Sequence, residues 1–295
     1  MDTQSTLKYL ENSLKITQQQ NNKLAEVAIV NNIANLHTGI GEYDIALSYL
    51  REALLISQET LDKQGEGKTL NNISQIYEAL GDYDTALDFL KKSLTIQQEI
   101  GDKQGIGATL NNMSAISHTR GDYNTALDFL KKSLAIRQEI GDKSGEGTTL
   151  NNISQIYSAR GDYDTALDLL KKSLAIQQEI GDKSGEGTTL NNMATTAHAR
   201  GDYDTALDFL KQSLAIRQEI GDVAGLCATL FNMGHIHLQN EEIAEALQAW
   251  LTVYGIAKQI NLANVLQALE SLAGNLGLPG GLQGWEALAQ QMNAE

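Results

Sequence analysis

A forty-residue repeat constrains this chain more than any other feature. Residues 144–183 read SGEGTTLNNISQIYSARGDYDTALDLLKKSLAIQQEIGDK, and residues 184–223 return that line with 30 of 40 positions unchanged. No single copy is large enough to enclose a core of its own. Each must bury its apolar face against the next, so a fixed period of this length predicts a stacked array of supersecondary units. Counting by forties places repeats at 24–63, 64–103, 104–143, 144–183 and 184–223, with a degenerate sixth at 224–263. Residues 1–23 precede them as a half repeat, because TLKYLENSLKI aligns with the second half of the unit. Residues 264–295 follow as capping helices, and the whole is expected to form one body.

Within the fourth repeat, Leu150, Ile153, Ser154 and Tyr157 fall at i, i+3, i+4 and i+7, one face of a helix, here called helix A. Gly161 ends that run, and Asp162 is a good N-cap for a second helix, B. Along helix B, Tyr163, Ala166, Leu167, Leu170, Leu174 and Ile180 form an apolar stripe. Asp168, Lys171, Lys172 and Glu179 face the other way, with Asp168 and Lys172 spaced for an i,i+4 pair. Gly181 stops helix B and Asp182 caps the next helix A. One proline and four phenylalanines in 295 residues fit this helical reading and not a turn-rich β-sandwich. The fold class is all-α: a right-handed superhelical α-solenoid of antiparallel helix pairs.

These positions resemble the tetratricopeptide repeat, whose spacing of large apolar, small and aromatic residues is matched by Leu150, Ile153, Ser154, Tyr157, Ala166 and Leu170. Gln178 stands where that pattern has proline, so helix B is expected to run on and lengthen the period beyond the usual ~34 residues. The linker IGDKSGEG and the run LNN make residues 24–263 similar to the Pins/LGN spindle adaptors and kinesin light chains. In such arrays helix A lines a concave groove.

Around helix A, Thr148, Asn151, Asn152, Gln155 and Ser158 share a neutral polar stripe opposite Leu150, Ile153 and Tyr157. The second Asn of the pair recurs as Asn32, Asn72, Asn112, Asn152, Asn192 and Asn232; the first as Asn31, Asn71, Asn111, Asn151 and Asn191. A carboxamide both donates and accepts, so such a ladder can pair with the backbone of an extended peptide. The family resemblance implies that role for Asn72, Asn112, Asn152 and Asn192. Against it stands a second use for the same amides, bonding across adjacent helices to fix the stacking. The first Asn of each pair, including Asn71, Asn111, Asn151 and Asn191, lies nearer the rim of the stripe. An eighty-residue alternation runs along the stripe: Gln75 and Gln155 against Ala115 and Thr195, Glu78 and Ser158 against His118 and His198. A constant frame with a varied inner stripe is the expected basis of specificity.

Several other chemistries are only apparent. GEGKT at 65–69 lacks the first glycine and the preceding strand of a phosphate loop. Asp82 and Asp84 begin like a calcium loop, but Ala86 and Leu87 occupy positions that need an oxygen ligand and a glycine. His235 and His237 lie on different helix faces, and Cys227 has no patterned partner. No nucleophile, base and stabiliser constellation is present, so the chain is expected to be non-enzymatic, without metal or cofactor. A net charge of −15 argues against nucleic acid. A groove without a Lys/Arg clamp, with Lys68 alone inside it and Arg120, Arg160 and Arg200 near the end of helix A, argues against gripping a terminal carboxylate. One cysteine and the absence of a long apolar run predict a cytoplasmic protein with no membrane span. The expected function is a scaffold that binds a protein or peptide partner in its groove. Two alternatives stand beside it: a regulatory or sensor subunit of a signalling enzyme, and a self-assembling solenoid, for which a homo-oligomer is the expected state. At the C-terminal end, Leu282, Trp285, Leu288 and Met292 mark a short last helix, read either as a cap or as a segment folded back into the groove.

Overall fold

The computed structural model describes residues 3–292, which contain fifteen helices and no strand. Helix α1 (Thr3–Gln19) stands alone before the A/B pairs α2 (Lys23–Gly39) with α3 (Tyr43–Glu59), α4 (Lys63–Ala79) with α5 (Tyr83–Ile100), and α6 (Lys103–Thr119) with α7 (Tyr123–Glu139). There follow α8 (Lys143–Ala159), α9 (Tyr163–Ile180), α10 (Lys183–Ala199), α11 (Tyr203–Ile220), α12 (Val223–Gln239), α13 (Ile243–Gln259), α14 (Ala263–Asn275) and α15 (Leu282–Met292). The chain is an all-α repeat solenoid. Two compact units are distinct, Met1–Thr149 and Leu150–Glu295, and the division falls inside α8.

The punctuation is as the residue types require. Asp82 and Asp122 accept from the backbone N–H of Thr85 and Thr125 at 3.1 Å, and Asp182 from Gly185 at 2.9 Å, each closing the first turn of a helix. Gly101 and Gly181 end helix B in the left-handed conformation at φ +69°, where a Cβ is unfavourable. Helix B runs through Gln178 to Ile180. The segment IGDKSGEG is no linker: it is the last helix-B residue, a two-residue turn and the first turn of helix A, because Asp182 caps the chain straight back into helix. Both helices of the pair are therefore long. Asp168 pairs with Lys171 at 3.4 Å, one residue before the expected Lys172.

Each unit buries its apolar stripes layer by layer. In the first, Ala46, Leu47 and Leu50 of α3 pack with Ile73 and Ile76 of α4, and Ala86 and Leu90 of α5 with Met113 and Ile116 of α6. In the second, Leu167 and Leu170 meet Leu190 and Met193, and Ala206 and Leu210 meet Ala194, Ala197 and Ile236. Alanine at 46, 86, 126, 166, 206 and 246 is fully buried, so no longer side chain holds the helices of a pair apart. At the C-terminal end Trp250, Val253, Leu269, Leu272 and Trp285 form one cluster. The Trp285 indole donates to the Leu269 carbonyl at 2.7 Å and meets the Trp250 ring edge-on, with centroids 6.2 Å apart. It is completely buried on α14 and α13.

Candidate recognition face

What sets the exposed side of each helix A is how the other sides are covered. Helix A packs on its own helix B and also touches the next helix A, as α4 does α6 and α10 does α12. The first Asn of each pair faces that next helix and is buried: Asn31, Asn71, Asn111 and Asn151 are each below a tenth exposed, and Asn191 is half-buried. Their Nδ2 atoms donate to threonine hydroxyls one repeat on, Asn31 to Thr69 at 2.9 Å, Asn71 to Thr109 at 2.7 Å, Asn111 to Thr149 at 3.2 Å, Asn151 to Thr189 at 2.6 Å and Asn191 to Thr229 at 2.8 Å. These Asn do not share the outward stripe that angular counting assigns them. Two A helices in contact close over that edge.

The second Asn then completes the ladder. Asn72 Nδ2 donates to Asn31 Oδ1 at 2.7 Å, Asn112 to Asn71 at 2.6 Å and Asn192 to Asn151 at 3.0 Å. These links cross between repeats, so in the second, third and fifth repeats the two carboxamides are joined to both neighbours, while the Oδ1 of Asn111 has no partner among the described residues. Buried amides left unbonded would each cost roughly 1–3 kcal/mol, and the ladder removes that cost. Asn72, Asn112 and Asn192 remain half-buried, with no protein donor on their outward Oδ1 among the described residues. Asn152 and Asn232 are half-buried too, and Asn32 is exposed.

Outside the ladder lies the alternating stripe. Gln75, Ala115, Gln155 and Thr195 are exposed; Glu78, His118, Ser158 and His198 are half-buried beside them. Burial pushes the Glu78 carboxyl up from its ordinary value. His118 and His198 lean on Tyr123 and Tyr203, with ring centroids 5.5 and 5.4 Å apart, and His198 Nε2 pairs with Gln239 Oε1. Tyr77, in contrast, stacks on Phe89 at 5.5 Å as a packing residue.

The alternation has a buried counterpart, missed in the sequence although its signal, IQQEI against IRQEI, is visible. Gln97 and Gln177 on helix B accept from Thr109 and Thr189 at 2.8 and 2.6 Å. At the same place in alternate repeats stand Arg137 and Arg217, both under a tenth exposed, paired with Asp142 at 2.5 Å and with Asp222. The glycines of the KSGEG segment make room for them: a Cβ on Gly145 would lie 1.5 Å from Arg137 Nη1, and one on Gly187 2.9 Å from Arg217 Nε. GEGKT is therefore helical packing. Thr69 in it is buried against Asn31 and Lys68 is exposed.

His37 and His237 take the position of Tyr77 and Tyr157 in the first and sixth repeats, and bond Glu42 and Glu242 at 2.6 and 2.5 Å. Those glutamates make no side-chain cap on helix B, unlike the aspartates between them. Among the described residues no three His, Cys, Asp or Glu side chains converge to hold a metal ion. Cys227 is buried, and burial pushes its thiol up. No helix of the described residues is long and apolar enough to cross a membrane.

The tetratricopeptide repeat model matches residues 25–99, 105–179 and 185–259, and the chain belongs to that family. No curated protein matches it in sequence. Among solved structures it is similar to BtubC (BKLC) from P. vanneervenii, with 21% identity, TM-score 0.63, and 75% of this chain and 93% of that one covered. A signal transduction ATPase with numerous domains from Pyrococcus horikoshii, which carries a tetratricopeptide repeat sensor, matches at 17% identity and TM-score 0.66 over 99% of this chain and 47% of that one. A Rap protein complexed with competence and sporulation factor matches at 14% and TM-score 0.63, covering 97% and 87%. At these identities the likeness is one of fold, including the kinesin-light-chain-like arrays.

Proposed function

We propose that this chain is a non-enzymatic interaction scaffold of the cytoplasm which takes an extended peptide, or an extended segment of a partner protein, along the exposed side of its A helices. The observation that carries this reading is the division of labour within the Asn pair. The first Asn and one donor of the second are engaged between repeats, while the outward Oδ1 of Asn72, Asn112 and Asn192 is given to no protein group. Held rigidly by the stacking, these acceptors are preorganised for backbone N–H donors of a peptide. The varied stripe beside them, Gln75, Gln155, His118 and His198, supplies contacts that differ from repeat to repeat. The solved Rap complex with competence and sporulation factor and the repeat sensor of the Pyrococcus ATPase support a role in partner recognition, by fold. The latter also favours a second reading, service as the sensor of a larger signalling enzyme, which affinity purification with mass spectrometry would reveal as a co-purifying catalytic subunit.

The test uses peptides selected by the full chain from a displayed random library. With Asn72, Asn112 and Asn192 all replaced by Ala, affinity by fluorescence anisotropy is expected to fall at least tenfold at a temperature where circular dichroism shows the helical fold retained. Failure of the wild-type chain to select any peptide, or unchanged affinity in the triple variant, defeats the reading.

A further inference from the structure

The recognition face changes character at α12. This helix, VAGLCATLFNMGHIHLQ, contains no Lys, Arg, Asp or Glu, in a chain of which 20% is charged. Phe231 stands where earlier repeats have the first Asn, His235 where they have Gln75 or Gln155, and Leu238 where they have Glu78 or Ser158. All three are half-buried: Phe231 and Leu238 pack part of their surface against the C-terminal cluster and keep the rest open. Their arrangement is fixed from below: Phe231 meets His235 edge-on at 4.9 Å between centroids, His235 meets Trp250 at 5.3 Å, and the Trp250 indole donates to the Phe231 carbonyl at 3.1 Å.

The ladder is open here too: Asn192 donates to Asn151, but Asn232 makes no such bond to Asn191, whose buried Oδ1, like that of Asn111, has no partner among the described residues. Asn232 thus keeps its amide, donors and acceptor together, beside a rigid aromatic floor. Burial, with His198 nearby, holds the His235 imidazole below its ordinary pKa and so disfavours its charged form. A charged group brought onto this surface would lose water and find no counter-charge on α12.

Resting on the peptide-binding reading above, we infer that Phe231, His235 and Leu238 form the specificity anchor of the face, a socket for one large uncharged apolar side chain of the bound peptide, with Asn232 pairing to the peptide backbone next to it. An aromatic floor fixed by Trp250 loses little freedom on binding, which is how a few residues come to dominate recognition.

The experiment compares library selections by the wild-type full chain, by the variant Phe231→Asn with His235→Gln, and by the milder Leu238→Ser; each restores the residue of an earlier repeat. Wild type is expected to enrich Leu, Phe, Met or Trp at one fixed peptide position, and both variants to lose that enrichment yet still select peptides. Changing the enriched residue of a selected peptide to Ala should weaken wild-type binding at least tenfold, a readout independent of whether a variant folds. Peptides selected without a fixed apolar position, or equal enrichment by variants with native helical circular dichroism, would overturn the anchor and leave the scaffold reading standing. Concentration-dependent dimers in light scattering that Leu238→Ser abolishes would assign the socket to a second copy of the chain, and likewise overturn the proposal.

Discussion

Leu61 shows how much a single backbone angle weighs in a repeat protein. It sits at φ +57° and is almost wholly exposed, at the turn where Gly101, Gly141, Gly181 and Gly221 stand in the following repeats. A residue with a Cβ pays roughly 1–2 kcal/mol in that conformation, and the greater freedom of glycine in the unfolded chain offsets part of the relief. Leu61→Gly is therefore expected to stabilise the first unit by about 0.5–1 kcal/mol in urea unfolding. The Asn pair gives a sharper contrast. Asn71→Ala strands Asn112 Nδ2 and removes the bond to Thr109, two links lost, whereas Asn72→Ala removes one link and leaves the buried Asn31 Oδ1 without its donor. Each lost link is expected to cost about 1–3 kcal/mol, so the first variant is expected to be the less stable of the two by the same measurement. Asp222 belongs with them: the Gly225 N–H bond, aided by Arg217 against an opposing effect of burial, holds its carboxyl below the usual range. A depressed carboxylate stabilises above its unfolded pKa and loses that contribution as pH falls through the folded value. Asp222→Asn should accordingly flatten the acid limb of the stability curve below about pH 4.

At the level of helices, glycine has two opposite roles that spacing in the sequence does not separate. Gly255 lies inside α13 with open space around its missing Cβ, and Gly255→Ala is expected to raise stability by up to about 1 kcal/mol through helix propensity. Gly145 begins α8 against Arg137 and Asp142, which are themselves bonded to each other, so neither can withdraw without losing a partner. Gly145→Ala should cost about 1–3 kcal/mol as overpacking. Thermal melts of the two variants side by side check both signs. The helices themselves were legible: Asp caps, Gly stops and the 3.6-residue stripes mark nearly every boundary. The start of helix A was not, because KSGEG reads as a loop by composition, whereas in the fold an Asp cap starts the helix and Arg137 or Gln177 packs closely on its first turn.

For the chain as a whole, repeats depend on neighbours to cover their apolar faces. Trp285 of α15 covers that of α13 and α14, buried in the cluster with Trp250 and Leu269. Trp285→Ala is expected to destabilise the second unit by about 3–5 kcal/mol, with α12–α14 losing amide-exchange protection before α9–α11. Retained protection there would instead place α15 outside the cooperative core. The forty-residue period by itself determined the fold class, the helix pairing and the identity of the buried stripes, because those follow from local periodicity and from each copy's need to cover the next. Only the tertiary structure decided which carboxamide faces a neighbouring helix and which faces solvent, that the alternating glutamine and arginine lie in the buried layer, and that α12 ends the polar face in an aromatic floor. Those depend on how closely two helices approach and on which side chain fills the space between them, distances that no period along one chain encodes.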